Sequence, residues 1–480
     1  MGELLDRMEP LLAKMPAVRA PDGHVHFKEK LLWTLGILLI YFILTNVPVW
    51  GLDPQSQDLF EYFRVLMAGA SGSIVTLGIG PIVTASIVLQ LLKGADIFRI
   101  DTSEPRGQVI YMGLQKLLIF VMIAVEAAPM IVGGFLIPSP VLASQFFGGS
   151  TGLLTLLIFI QICVGGVLVV FMDEVVTKWG IGSGVGLFII SGVSQQLVNG
   201  FISWNSSPTD GYPVGFFPRL VGVIVDPAAN FLQYFGPNII AFITTVLIFL
   251  VIVFVESTRI EIPLAHAQVR GARSRFPVKL IYASVLPMIL VSVLLANIQM
   301  VGLFLNNVGI TILGVFQGQT PIDGLMYFLA PIQGPTQWMW WADGFTGPDA
   351  WLVIIRLIIN LIIMIVGCSI FALFWVKTAG LDSKAVARQI QLSGMSIPGY
   401  RRSPKVLEKV LDRYIPRVTV IGGAFIGLLS VIANLFGVIG GVSGTGLLLT
   451  VSITYRLYEE IANEQIMEMY PFMRTFFGKE

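Results

Sequence analysis

Charge is scarce in this chain of 480 residues, where Asp, Glu, Lys and Arg together make up only 12%. That is about half of what a soluble globular domain carries, and it excludes a surface facing water on all sides. Hydrophobic residues at 55% and a mean hydropathy of +0.81 place the chain among membrane proteins. Cysteine is nearly absent. Its two copies, Cys163 and Cys368, fall in apolar runs as small fillers, so no disulfide framework or metal site follows from them. Histidine occurs three times, as His24, His26 and His266, each outside the apolar runs, which removes a Ser-His or His-metal centre at membrane depth. No Asp is expected inside a span, which disfavours a paired-carboxylate intramembrane protease, and no Walker-type phosphate loop is present. The chain reads as a non-enzyme without a cofactor.

What the sequence does hold is ten apolar runs of roughly membrane-crossing length, near 30–49, 74–92, 107–128, 151–172, 184–202, 238–256, 279–302, 351–376, 417–437 and 442–459. The expected fold is therefore an all-α polytopic membrane protein with ten transmembrane helices. Of the 30 basic residues, all but Arg64, Arg219, Lys116 and Arg356 fall in alternate gaps or at the two ends. By the positive-inside bias, the N- and C-termini are both cytoplasmic. Residues 1–29 lack the apolar core of a cleavable signal peptide. Leu4, Leu5, Met8, Leu11, Leu12 and Met15 instead recur at helical spacing, which suits an amphipathic helix on the membrane surface or one packed beneath the bundle.

Ionisable groups at membrane depth are few, namely Lys116, Glu126 and Arg356. Each has a structural explanation, Lys116 by snorkelling and the other two by lying near outer ends, and together they make no proton relay. Glycine and proline carry more information. Before the second span, residues 55–68 are too short and too polar to cross alone, and Gly69 and Gly72 break the chain ahead of LGIGPIVTASIVLQLL, which begins at Leu77. Broken backbone at membrane depth lies in protein or lines a cavity, because unpaired amides are costly in hydrocarbon. The fifth span opens with GIGSGVGLFII from Gly180, and the tenth opens with GGVSGTGLLLTVSI from Gly440. Close helix packing explains each glycine cluster singly. Taken with PMIL at Pro287–Leu290, they also suit a ring of apolar side chains that closes a pore by excluding water. Two long basic loops, 257–278 and 377–416, carry VRGARSRFPVKL from Val269 and ARQIQLSGMSIPGYRRSPKVLEKVLDRYIP from Ala387. They suit the topology bias, anionic lipid, or a large anionic partner such as a ribosome.

These motifs, with VRG, FPVKL and LANIQ at Leu295–Gln299, resemble the SecY family along the whole chain, the archaeal form in particular. The resemblance implies the pore-forming subunit of a protein translocation channel, which passes unfolded polypeptides and releases hydrophobic segments sideways into lipid. It implies a pore ring of Ile79, Val83, Val185, Ile189, Ile289 and Leu449. It also implies a plug at about 55–72, a lateral-gate polar cluster of Thr84, Gln115 and Asn297, and Arg270 and Arg401 as contacts for a ribosome or another driving partner. Two pseudo-symmetric inverted halves are implied, residues 1–202 and 238–480, joined by an outer hinge loop at 203–237. The implied partners are SecE-type and Sec-beta-type small membrane subunits, signal sequences and nascent polypeptides, and membrane lipid. The implied location is the plasma membrane of an archaeal-type prokaryote. The outer loop from Gly302 to Ala350 receives no role. A secondary transporter of a small solute is the alternative, and a scaffold without a pore is a third reading.

Overall fold

The computed structural model describes residues 15–23, 25–53, 68–70, 72–94, 105–132, 136–207, 211–226, 231–266, 273–279, 285–317, 320–341, 349–392, 395–396 and 404–469. The fold is helical, with ten long helices among the described residues, numbered here in chain order: α1 Phe27–Asn46, α2 Gly80–Gly94, α3 Pro105–Val132, α4 Thr151–Trp179, α5 Gly184–Ile202, α6 Phe231–Ser257, α7 Leu286–Asn307, α8 Ala350–Thr378, α9 Pro404–Phe436 and α10 Gly444–Met469. Helices α3 to α9 are long and apolar enough to cross a membrane, whereas α2 is apolar but short. Leu32, Leu39, Leu156, Phe254 and Ile362 are exposed. Without water in hydrocarbon to oppose it, an outward apolar face costs nothing there.

Several boundaries differ from the sequence reading. Helix α4 runs past 172 to Trp179, so Asp173, expected outside the spans, lies within a helix. The loop at 257–278 contains two strands, β1 Arg259–His266 and β2 Arg273–Lys279, paired antiparallel with Arg259 opposite Lys279. The seventh helix starts at Leu286 instead of 279, and Lys279 itself belongs to β2. The loop at 377–416 supplies a helix, Ser383–Leu392, and a short strand, Met395–Ser396, that pairs antiparallel with the edge of β1 away from β2. The two basic loops therefore share one sheet. Helix α9 begins at Pro404, well before the expected 417, and α6 at Phe231, inside the segment read as a hinge. A small outer hairpin, Val315–Gln317 with Thr320–Asp323, interrupts the loop before α8.

The core lies between the helices and is nearly continuous: one apolar cluster draws on α1 to α10, including Tyr41, Ile79, Ile123, Ile162, Ile189, Ile289 and Leu449. A second, smaller cluster packs Val386, Ala387 and Ile390 against Leu411, Ile415 and Val376 at the basic-loop end.

Candidate functional site

The described part of the break before α2 is non-helical backbone tied down by hydrogen bonds. Val49 N–H donates to the Gly72 carbonyl at 2.7 Å and Ile74 N–H to the Val47 carbonyl at 3.0 Å. The Tyr41 hydroxyl donates to the Ala68 carbonyl. The turn then crosses α4 at Gly165, where any Cβ would collide with the Ile74 carbonyl. Small side chains set α10 as well: Thr445 N–H donates to Asn434 Oδ1 at 3.2 Å, Asn434 Nδ2 to Thr445 Oγ1 at 2.8 Å, and Ser430 and Thr445 hydroxyls meet at 2.8 Å. The glycines thus serve tight local turns, and the turns aim the apolar residues that follow them.

Those residues point inward. Ile79, Ile189 and Leu449 are 0% exposed, Val83 and Ile289 are buried, and Val185 is half-buried against the same core. None faces the outside of the bundle. Val83, Val185 and Ile289 also line a cavity of about 510 Å³. Its other walls mix polar residues, among them Ser86, Gln90, Gln115 and Asp173, with apolar ones such as Ile82, Leu290 and Trp375. It lies at the basic-loop end, with Gln90 less than a turn from Lys93 at the end of α2 and Thr378 beside Lys377. Val83, Val185 and Ile289 belong to the apolar part of this wall. Apolar side chains that face one another offer water and hydrated ions no hydrogen bond, which is a barrier by dewetting.

Beside this cavity α2 packs on α7 and α8, and α3 also touches α7. Asn297 Nδ2 donates to Thr84 Oγ1 at 3.0 Å across the α2–α7 seam, and the Thr84 hydroxyl donates to the Gly80 carbonyl at 3.0 Å. Gln115, expected in the same cluster, instead donates through Nε2 to Ser86 Oγ at 2.9 Å and faces the cavity. The third member is Glu126, buried in α3 beside Thr84, with its Oε1 unpartnered among the described residues. Both α3 residues lie on one face, because eleven residues is close to three whole turns. Sequence position alone did not separate them, but a lone carboxylate in an apolar span was the available signal.

The other ionisable groups are structural. Lys116 pairs with Glu174 of α4, whose other oxygen accepts from Val18 N–H at 2.8 Å. Arg356 donates to the Ala330 carbonyl at 3.2 Å and 3.3 Å and to that of Pro331 at 3.3 Å, with Tyr327 beneath it at 4.6 Å from the ring centroid. It thereby pins the outer loop that the sequence left without a role. Among the described residues no group of three His, Cys, Asp or Glu stands close enough to hold a metal ion. Arg270, Arg401 and residues 55–67 of the expected plug lie outside the described residues.

A family model for SecY matches residues 73–458, and one for the plug domain of Sec61p matches residues 39–72. The chain belongs to the SecY family. It is 56% identical to the protein translocase subunit SecY of Haloferax volcanii, with 99% of each chain covered, and 51% identical to that of Archaeoglobus fulgidus, with 100% of each covered. Among solved structures, it resembles a protein conducting channel with a TM-score of 0.80 and 39% identity, covering 96% of this chain and 98% of the other. Sec61 in the canine ribosome-channel complex from the endoplasmic reticulum matches with a TM-score of 0.77, 39% identity and the same coverage. For a SecY-family chain, the converging apolar residues, the broken approach to α2 and the α2–α7 seam take on a shared meaning.

Proposed function

We propose that this chain is the pore-forming subunit of a protein translocation channel, carrying unfolded polypeptides through the bundle and releasing hydrophobic segments through the α2–α7 seam. The observation that carries this is a cavity lined by Val83, Val185 and Ile289 from three different helices, with Ile79, Ile189 and Leu449 of the expected ring fully buried in the same core. A gasket of branched side chains seals against ions yet parts around an extended chain, and it needs no catalytic group. Thr84, Asn297 and Glu126 set how readily the seam opens, with Gln115 as a cavity-wall residue on the same helix.

The proposal includes ten crossings with cytoplasmic termini, in the plasma membrane of an archaeal-type cell, in two inverted halves on either side of the 203–237 connection. The basic sheet and its flanking loops, with Arg270 and Arg401, face the driving partner. A ribosome suits them, since the canine relative is found in a ribosome-channel complex and basic loops meet RNA phosphates. SecE-type and Sec-beta-type subunits complete the assembly. A solute transporter needs a polar site at the ring, where this chain presents Ile, Val and Leu. Deleting residues 57–67 tests the reading: the reconstituted channel should conduct ions at rest, and an ion-tight deletion variant would count against a plugged pore.

A further inference from the structure

Asp173 is a half-buried carboxylate that neither the ring nor the seam employs. It sits in α4, less than two turns before the helix ends at Trp179, and it lines the cavity. Its Oδ1 accepts from Val185 N–H at 2.9 Å, and the Gly184 N–H lies beside the same carboxylate. These are orphan donors in the first turn of α5. The residue at the N-cap position, Ser183, makes no side-chain cap bond. The cap is thus supplied by a neighbouring helix. Gly184 permits this, since a Cβ there would lie 2.6 Å from both Asp173 Cα and Oδ1.

We propose that Asp173 is a positioning residue for the seal: by capping α5 from α4 it fixes the height and rotation at which Val185 and Ile189 reach the ring. Val185 is the residue whose N–H is held, and Ile189 lies four residues on, on the same face of the helix. With the cap gone, the first turn of α5 frays, Val185 leaves the cavity wall, and the turn carrying Ile189 loses the anchor that sets its rotation. The inference rests on the ring reading, so its test must separate the two.

The purified complex with its small subunits is reconstituted in liposomes, and ion efflux is compared for wild type, Asp173→Ala, Asp173→Asn, Thr34→Val and Ile289→Gly. Thr34 is the matched control, because its Oγ1 accepts from Ile181 N–H at 3.0 Å in the same α4–α5 turn but does not cap α5. Asp173→Ala should raise efflux roughly tenfold, the scale of a lost cap. Asp173→Asn should restore the seal, because Asn caps as well as Asp, and Thr34→Val should stay tight. A tight Asp173→Ala beside a leaking Ile289→Gly overturns this inference alone, whereas a tight Ile289→Gly overturns the ring itself. Equal leakage from Thr34→Val, or no rescue by Asn, also overturns it. Should Asp173→Ala fail to assemble, Asp173→Glu decides, with a smaller leak expected and a tight channel contradicting the proposal.

Discussion

Replacing Asn297 with Leu should make the seam harder to open by an amount that the structure allows to be worked out. In the structure Asn297 contributes one bond across α2 and α7, at 3.0 Å to Thr84, and that bond holds the seam shut. Interhelical hydrogen bonds in membranes contribute on average about 0.6 kcal/mol, and on opening toward an aqueous pore Asn recovers most of this from water. Leu gives up that bond but buries apolar surface in the seam. Exposing a fully buried Leu costs about 1.5–3 kcal/mol, and position 297 is only partly buried, so the lower end applies. Thr84 is left with its Gly80 acceptor, and no donor is orphaned. The net effect is roughly 1 kcal/mol in favour of the closed gate. Each Leu in a crossing segment contributes about 0.3–0.6 kcal/mol, so the variant should require about two more Leu for half-insertion. A graded Leu/Ala reporter series, scored for lateral insertion by wild type and Asn297→Leu, reads this directly. An unchanged midpoint, or one shifted to fewer Leu, would refute the reasoning.

Two further outcomes test the local geometry. Gly165→Ala should lower the stability of the purified complex by about 1–3 kcal/mol, as overpacking does, because its Cβ meets the Ile74 carbonyl; Gly36→Ala, with nothing within 4 Å, should be neutral in the same thermal melt. Arg356→Met should leave the Ala330 and Pro331 carbonyls unpaired and speed hydrogen exchange over residues 325–338, while polypeptide transport persists.

The helical class and most span positions follow from sequence because bilayer thickness and backbone satisfaction leave few other options. The apolar residues carried over by motif all face inward in the structure. What sequence could not provide came from non-local geometry. Strands in the 257–278 loop depend on pairing across a turn and on Met395–Ser396 far along the chain. Gln115 and Glu126 lie on the same face of α3, so only the packing of α2 decides which one meets Thr84. Asp173 was misplaced because a charged stretch reads as a helix end, while Lys116, paired with Glu174, and backbone donors in the next helix keep α4 continuous past it. Arg356 looked like a stray charge until the carbonyls of its own outer loop closed around it.

On the proposed route the polypeptide passes between Ile79, Val83, Val185, Ile189, Ile289 and Leu449. Single cysteines at Val83, Ile289 and Leu449, in a chain lacking Cys163 and Cys368, can be oxidised against a cysteine in a stalled translocating polypeptide. All three should cross-link to the same short stretch of the polypeptide, while a cysteine at Leu32, on the exposed face of α1, should not. Cross-links absent from the three and present elsewhere in the bundle would place the path outside the ring and contradict the account.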